Sequence, residues 1–253
     1  ASAMFTVTTR DGSEAHLNPG AMAGADVVCC RALVRPEGED GGRVRRVLEG
    51  LGLTCSCFVP DPTLPAAGGE PAGLAILTGP GLWPLNSGRL RPSGEDRDLG
   101  AIVQFLHVRK QSASLLVFNL RFALEPERQQ ALLGAVFAHP LFKERYSGVV
   151  LCSDRPVEVG ERVLRGLARA SGYALCPTAA DSGPLLFVPA AGRGTTARVS
   201  PIEPADLPAA ARSRTLRLTV QHHPARPSDR LRVPLSCREQ WLGSQECFRA
   251  YAL

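Results

Sequence analysis

The residues of this chain best suited to chemistry are eight cysteines, five histidines and a marked excess of arginine. Cys152 and Cys176 each close an apolar run, where a strand would hand a nucleophile to a loop, and Asp154 stands two residues beyond Cys152. A thiol, a histidine base and an orienting carboxylate would make a cysteine-dependent hydrolase or transferase. No local signature joins either thiol to His16, His107, His139 or the pair His222-His223, and there is no Gly-x-Ser-x-Gly elbow for a serine nucleophile. No catalytic residue is therefore assigned. Cys55 and Cys57 share one face of a strand, whereas Cys29 and Cys30 face opposite ways. Structural zinc needs four converging ligands, usually from paired short-spaced motifs, and Cys-x-x-Cys is absent. The thiols read as buried small apolar side chains, with no metal site expected.

Phosphate chemistry has equally little support at this level. Walker and dinucleotide loops need glycines that let backbone N–H groups approach the ligand, and neither pattern occurs. The turn Ser153-Asp154-Arg155-Pro156-Val157 and the loop from Arg35 to Gly42, with Glu37, Glu39 and Asp40, place carboxylates where a phosphate would sit. Gly192-Arg193-Gly194-Thr195-Thr196 is glycine-rich but lacks a following helix. No cofactor is expected.

The strongest local charge signal is the stretch from Arg212 to Arg238, where Arg212, Arg214, Arg217, Arg226, Arg230, Arg232 and Arg238 meet the single acid Asp229. Alternation turns Leu216, Leu218 and Val220 inward and Arg217 outward, and turns Leu231, Val233 and Leu235 inward with Arg230 and Arg232 outward. Pairing of these segments as a hairpin would expose one arginine-bearing face, suited to nucleic-acid phosphates or to an acidic protein partner. Aromatic residues for base stacking are scarce there. A second candidate contact is Trp83, with Leu85, in the Pro/Gly-rich loop from Gly79 to Gly100, since tryptophan is enriched among interface anchors. The expected partner-binding residues are Trp83, Leu85, Arg217, Arg230 and Arg232.

Composition bounds these readings. Over 253 residues the net charge is +5, with 44% hydrophobic and 21% charged residues, as in ordinary globular chains. Lys110 and Lys143 are the only lysines among 29 basic residues. Such a skew, with abundant Ala, Gly and Pro, is what a GC-rich genome, a viral one included, would encode. No apolar run is long enough to span a bilayer and no secretion signal opens the chain, so a reducing compartment, cytoplasmic or nuclear, is expected.

The elements that must position these side chains come in a repeated order. Asp26–Val34 reads as a buried strand, Gly42–Leu51 as a helix capped by Gly52, then Leu53–Val59 and Gly73–Thr78 as strands. Ala101–Val108 and Ser114–Leu124 form a hairpin pattern, followed by a helix opened by Pro126 with the stripe Leu132, Leu133, Val136, Phe137. The order returns: Gly148–Cys152, a helix with Val159, Val163 and Leu167 on its apolar face, Tyr173–Cys176, Leu185–Val188, a second hairpin, and a final helix carrying Trp241, Phe248 and Tyr251. The expected fold is α/β (α+β), a mixed sheet with packed helices, formed as two similar lobes by internal duplication, residues 1–145 and 146–253. With no cofactor fingerprint or metal set, the function expected is a non-catalytic protein-interaction or assembly scaffold binding one or more proteins. The alternatives are a nucleic-acid-binding module using the basic hairpin and the cysteine-dependent enzyme.

Overall fold

A computed structural model describes residues 2–11, 22, 24–37, 41–65, 70–91, 101–122, 125–177, 183–190, 197–212 and 214–222. The second-hairpin residues Arg230 and Arg232, the 192–196 loop, His16, His223 and the expected final helix lie outside them. The described strands are β1 (Ser2–Asp11), β2 (Val27–Val34), β3 (Thr54–Pro60), β4 (Ala72–Thr78), β5 (Trp83–Leu90), β6 (Ile102–Lys110), β7 (Ala113–Arg121), β8 (Gly148–Ser153), β9 (Tyr173–Cys176), β10 (Leu185–Pro189), β11 (Ala197–Ile202) and β12 (Thr215–His222). The helices are α1 (Gly41–Gly50), α2 (Pro126–Phe137), α3 (Glu161–Ala170) and the short α4 (Ala209–Arg212), with a 3₁₀ turn at Pro140–Lys143. Among the described residues, no helix is long and apolar enough to cross a membrane.

Two six-stranded mixed sheets result, ordered β11-β12-β1-β2-β4-β3 and β5-β6-β7-β8-β10-β9. The orders are equivalent. In each, one parallel pair (β1/β2 or β7/β8) is flanked by an antiparallel hairpin, and the strand–helix–strand–strand run from β2 or β8 folds back so that its last strand inserts between the others. The expected α+β architecture is thus present, with two similar sheets; β6 and β7 join the second sheet and β11 and β12 the first, so the sheets do not follow a division at residue 145.

Strand alternation builds the layers. Phe5, Val7, Val27, Cys29 and Ile76 of the first sheet meet Leu106, Val108, Leu115, Val117, Val150 and Cys152 of the second in a shared core. The opposite face of the first sheet, with Val28, Cys30 and Leu77, is covered by Val44 and Leu48 of α1. That of the second, with Phe118, Leu120 and Val149, is covered by α2 and α3 through Leu132, Leu133, Val136 and Leu164. Gly52 follows α1 with φ +69°, the left-handed conformation expected of a helix-ending glycine.

Several local expectations are corrected. The supposed loop after Gly79 contains β5, an edge strand where Pro84 is tolerated because its missing N–H faces outward, with a bulge between Pro84 and Asn86. Gly88 lies against the Phe105 ring, where a Cβ would come within 3.3 Å. β12 pairs with β1 on one edge and β11 on the other, and the segment 230–235 expected to form a hairpin with it lies outside the described residues. On α3 the buried positions are Leu164 and Ala168, while Val163 is exposed. Val-Val-x-Cys occurs at Val27–Cys30 and again at Val149–Cys152, a match that would equate Cys30 with Cys152. The faces instead equate Cys29 with Cys152, since Cys30 belongs to the layer beneath α1. A one-residue shift in a strand exchanges its faces.

Candidate functional site

The carboxyl ends of both parallel pairs lie at the same end of the sandwich, where α/β folds commonly place ligands. Along each strand the core-facing positions are apolar until this end and then turn polar: Val27, Cys29, Arg31 on β2; Leu115, Val117, Asn119, Arg121 on β7; Val150, Cys152, Asp154 at the end of β8. Polar groups buried at this depth need partners.

They find them across the gap between sheets. Asn119 is 2% exposed, and its Nδ2 donates to Cys30 O at 3.1 Å, Ala75 O at 3.3 Å and Gln104 Oε1 at 3.1 Å. Gln104 is fully buried and donates to Leu74 O at 3.2 Å. This amide pair ties the second sheet to the backbone of β2 and β4, where the ladder breaks register between Cys30 and Leu33. In that bulge Ala32 takes φ +51°, a conformation a non-glycine residue adopts at a cost.

Arg31, leading into the bulge, reaches the other sheet and donates from Nη1 to Asp154 O at 2.8 Å. Asp154 Oδ1 accepts from the Phe122 amide at 2.7 Å, and the Asp154 amide donates to Leu120 O at 3.1 Å. Arg121 Nη1 donates to Asp61 Oδ1 at 2.6 Å, and the Thr63 amide and hydroxyl donate to the same oxygen at 3.0 and 2.8 Å. The Asp61 side chain is 1% exposed and that of Arg121 22% exposed, so the ion pair is capped on the carboxylate side and open on the guanidinium side. Each of Arg31 and Arg121 thus has one N–H fixed, with other donors of its fork remaining. Arg91, Arg155 and Arg214 are exposed and sit at strand ends around the same rim.

A cluster of buried polar groups at strand ends could hold a divalent cation. Among the described residues no three His, Cys, Asp or Glu side chains converge. Asp61 is sealed under Arg121, and Asp154 has one oxygen committed to the Phe122 amide. The remaining described carboxylate at this end, Asp11, lies beside Arg31 in the strand register and has an interaction of its own. Among the described residues, a dication would meet the second oxygen of Asp154 beside two guanidinium groups, a set that does not fit such an ion.

The sequence-expected site residues fall elsewhere. Trp83 and Leu85 are 66% and 50% exposed, on β5 at its end remote from the polar cluster. Arg217 lies on β12, in the other sheet, and its fork is engaged by both carboxylate oxygens of Asp206. Trp83 and Leu85 thus share one strand, Arg217 lies in the other sheet, and Arg230 and Arg232 lie outside the described residues. Among the described residues, the cysteines do not form a nucleophilic site, and Cys237 and Cys247 lie outside them. Cys152 is fully buried, and its counterpart Cys29 is pushed well above the ordinary thiol range by hydrogen bonding to Cys152 and by burial. Burial raises Cys30 to about 12 and Cys55 to about 11, and raises Cys57 and Cys176 as well, away from the thiolate a nucleophile needs. The carboxylate of the 153–157 turn, expected to repel phosphate, is tied through one oxygen to the Phe122 amide, and the Asp154 backbone carbonyl accepts from Arg31.

Arg31, Asp61, Gln104, Asn119 and Arg121 were not singled out from sequence. The available signal was the period-two pattern itself: strands ending Val-x-Cys-x-Arg and Leu-x-Val-x-Asn-x-Arg keep polar residues on the face that is otherwise core.

No family model and no curated protein sequence matches this chain. Solved structures do match its fold. The human Nocturnin catalytic domain with bound sulfate anion is similar over 88% of this chain and 97% of its own, with a TM-score of 0.58 at 11% identity. An endonuclease/exonuclease/phosphatase family protein from Bacteroides thetaiotaomicron is similar over 87% and 98%, with a TM-score of 0.53 at 11% identity. A humanized D. rerio TDP2 covers 86% and 99%, with a TM-score of 0.51 at 11% identity. The architecture therefore resembles the endonuclease/exonuclease/phosphatase fold. That likeness overturns the expectation of a non-catalytic scaffold for complex assembly, because this arrangement of sheets is one that enzymes use. The absence of a cofactor fingerprint, on which the scaffold reading rested, is not evidence against catalysis.

Proposed function

We propose that this chain is a phosphoester-directed hydrolase of the nuclease and phosphatase class, acting at the polar end of the sandwich on nucleic-acid phosphodiesters. The observation that carries the reading is the convergence there of Arg31, Arg121 and Asp154 from both sheets. Two supports stand beside it: the structural likeness to an endonuclease/exonuclease/phosphatase family protein, and the sulfate, a phosphate-like anion, bound by the Nocturnin domain. The exposed Arg91, Arg155 and Arg214 suit a polyanion extending beyond the central phosphate.

In this reading Arg31 and Arg121 present planar donors to the non-bridging phosphoryl oxygens, as guanidinium forks do. Asp61 fixes Arg121, and the Phe122 amide fixes Asp154, whose second oxygen accepts a proton from the attacking water. The water oxygen bonds to phosphorus, the ester P–O bond breaks, and the alcohol leaves after taking up a proton. Negative charge spreading over the phosphoryl oxygens meets the arginines, which need not reorganise.

The test is cleavage of an end-labelled single-stranded oligonucleotide, alongside its binding. Wild-type protein should do both, and Asp154→Asn should lower kcat by about 10²-fold or more, the scale of general-base loss, with Kd little changed. Binding without any cleavage would contradict the hydrolytic role. Absence of both would remove the phosphoester reading altogether.

A further inference from the structure

Resting on that reading, we infer that this site grips its phosphate through the Arg31 and Arg121 forks and requires no divalent cation to bind a nucleic-acid phosphodiester. The argument is the donor set. A bound magnesium ion needs near-octahedral oxygen coordination, usually one or two carboxylates with waters and substrate phosphates. Among the described residues, Asp61 is 1% exposed with three donors on one oxygen, so it faces its arginine and not the opening, and Asp11, beside Arg31 in the strand register, is already engaged. Asp154 is likewise held through Oδ1, and the Arg31 guanidinium lies against its backbone carbonyl.

The positive charge that a cation would supply is already built into the scaffold by these two side chains. Both are pre-positioned. Arg31 is aimed across the sheets by the bulge that Asn119 and Gln104 hold, and Arg121 is anchored by a buried carboxylate. A guanidinium needs no loading step, and its fork matches two phosphoryl oxygens. The consequence is a binding isotherm insensitive to chelators and sensitive to monovalent salt, because each neutralised phosphate releases counterions.

The experiment is fluorescence-anisotropy titration of a labelled single-stranded oligonucleotide at matched ionic strength, in excess EDTA and in millimolar magnesium, with inorganic phosphate as competitor. The two isotherms should coincide within about twofold, well under the tenfold that 1.4 kcal/mol represents. Arg31→Met should weaken binding in both conditions by about tenfold and lower the slope of log K against log salt by about one. Arg121→Lys retains the charge beside Asp61 but loses the fork, and should weaken binding in both conditions while the protein stays folded by circular dichroism. Binding that appears only with magnesium, or arginine variants that bind as wild type in EDTA, would overturn the inference while leaving phosphoester recognition in place. No binding in either condition would instead overturn the functional reading beneath it.

Discussion

The two halves of this molecule share a topology and differ in charge at the ends of their parallel strands. In the first half β1 and β2 run side by side with Thr9 beside Cys29 and Asp11 beside Arg31. In the second, Asn119 lies beside Cys152 and Leu120 beside Ser153, so the next step sets Arg121 next to Asp154. With the two cysteines equated, Asp11 corresponds to Arg121 and Arg31 to Asp154. The order of acid and base is reversed between halves. The repeated topology gives a near-symmetric pair of strand ends, and Arg31 of one sheet reaches the Asp154 backbone carbonyl of the other. Symmetry accounts for where the site is; the departure from symmetry accounts for what it can bind.

The largest effect expected from breaking this comparison is at Arg121. Arg121→Met strands Asp61 as a buried, unpaired carboxylate and should cost about 3–5 kcal/mol in urea unfolding, whereas Arg31→Met removes a charged hydrogen bond to a carbonyl and should cost about 1.5–3 kcal/mol. Equal costs would mean that the two arginines are not anchored differently. Next in size is the amide pair. Asn119→Leu leaves Cys30 O and Ala75 O without their donor and should destabilise by about 1–3 kcal/mol. It should also shift the Arg31 side-chain NMR signal, which a core variant of equal stability would leave in place.

A smaller effect, of opposite sign, is expected at the bulge. Ala32→Gly relieves a positive φ and should stabilise by about 0.5–1 kcal/mol in the same assay, offset in part by the freer unfolded chain. The smallest concerns His107, on the outer face of the second sheet, edge-on to Tyr146 and with Glu144 at 3.6 Å. Burial lowers its pKa below the usual 6.5, against the pull of Glu144. The unfolded chain therefore binds more protons than the native one in the window below 6.5. Stability should fall as pH drops from about 6.5 through the lower native value. His107→Phe should flatten that part of the profile, and an unchanged profile would remove the assignment.

The sequence made the layers legible and the site illegible for the same reason. Hydrophobic alternation in β6, β7 and β12, the long apolar run of β2 and the repeat of strand–helix–strand–strand all mark buried surface, which is what periodicity reports. Edge strand β5, with proline, glycine and asparagine, carries little such signal and was read as a loop. The site consists of side chains that meet across sheets: Arg31 to Asp154 spans 123 residues and Arg121 to Asp61 spans 60. No local motif encodes those meetings. The arginine-dense stretch was conspicuous, yet Arg217 is engaged by Asp206, while Arg31 and Arg121 stood alone in apolar strands. A charged residue on the core face of a strand was the stronger clue.

The account stands most directly on whether the polar end holds a phosphate. Equilibrium titration of a labelled single-stranded oligonucleotide against wild-type protein and Arg31→Met, each confirmed folded, decides it. The account predicts salt-sensitive binding by wild type and a loss of about tenfold in the variant, equivalent to about 1.4 kcal/mol. Equal affinity in the two proteins, or no binding by either, would contradict it.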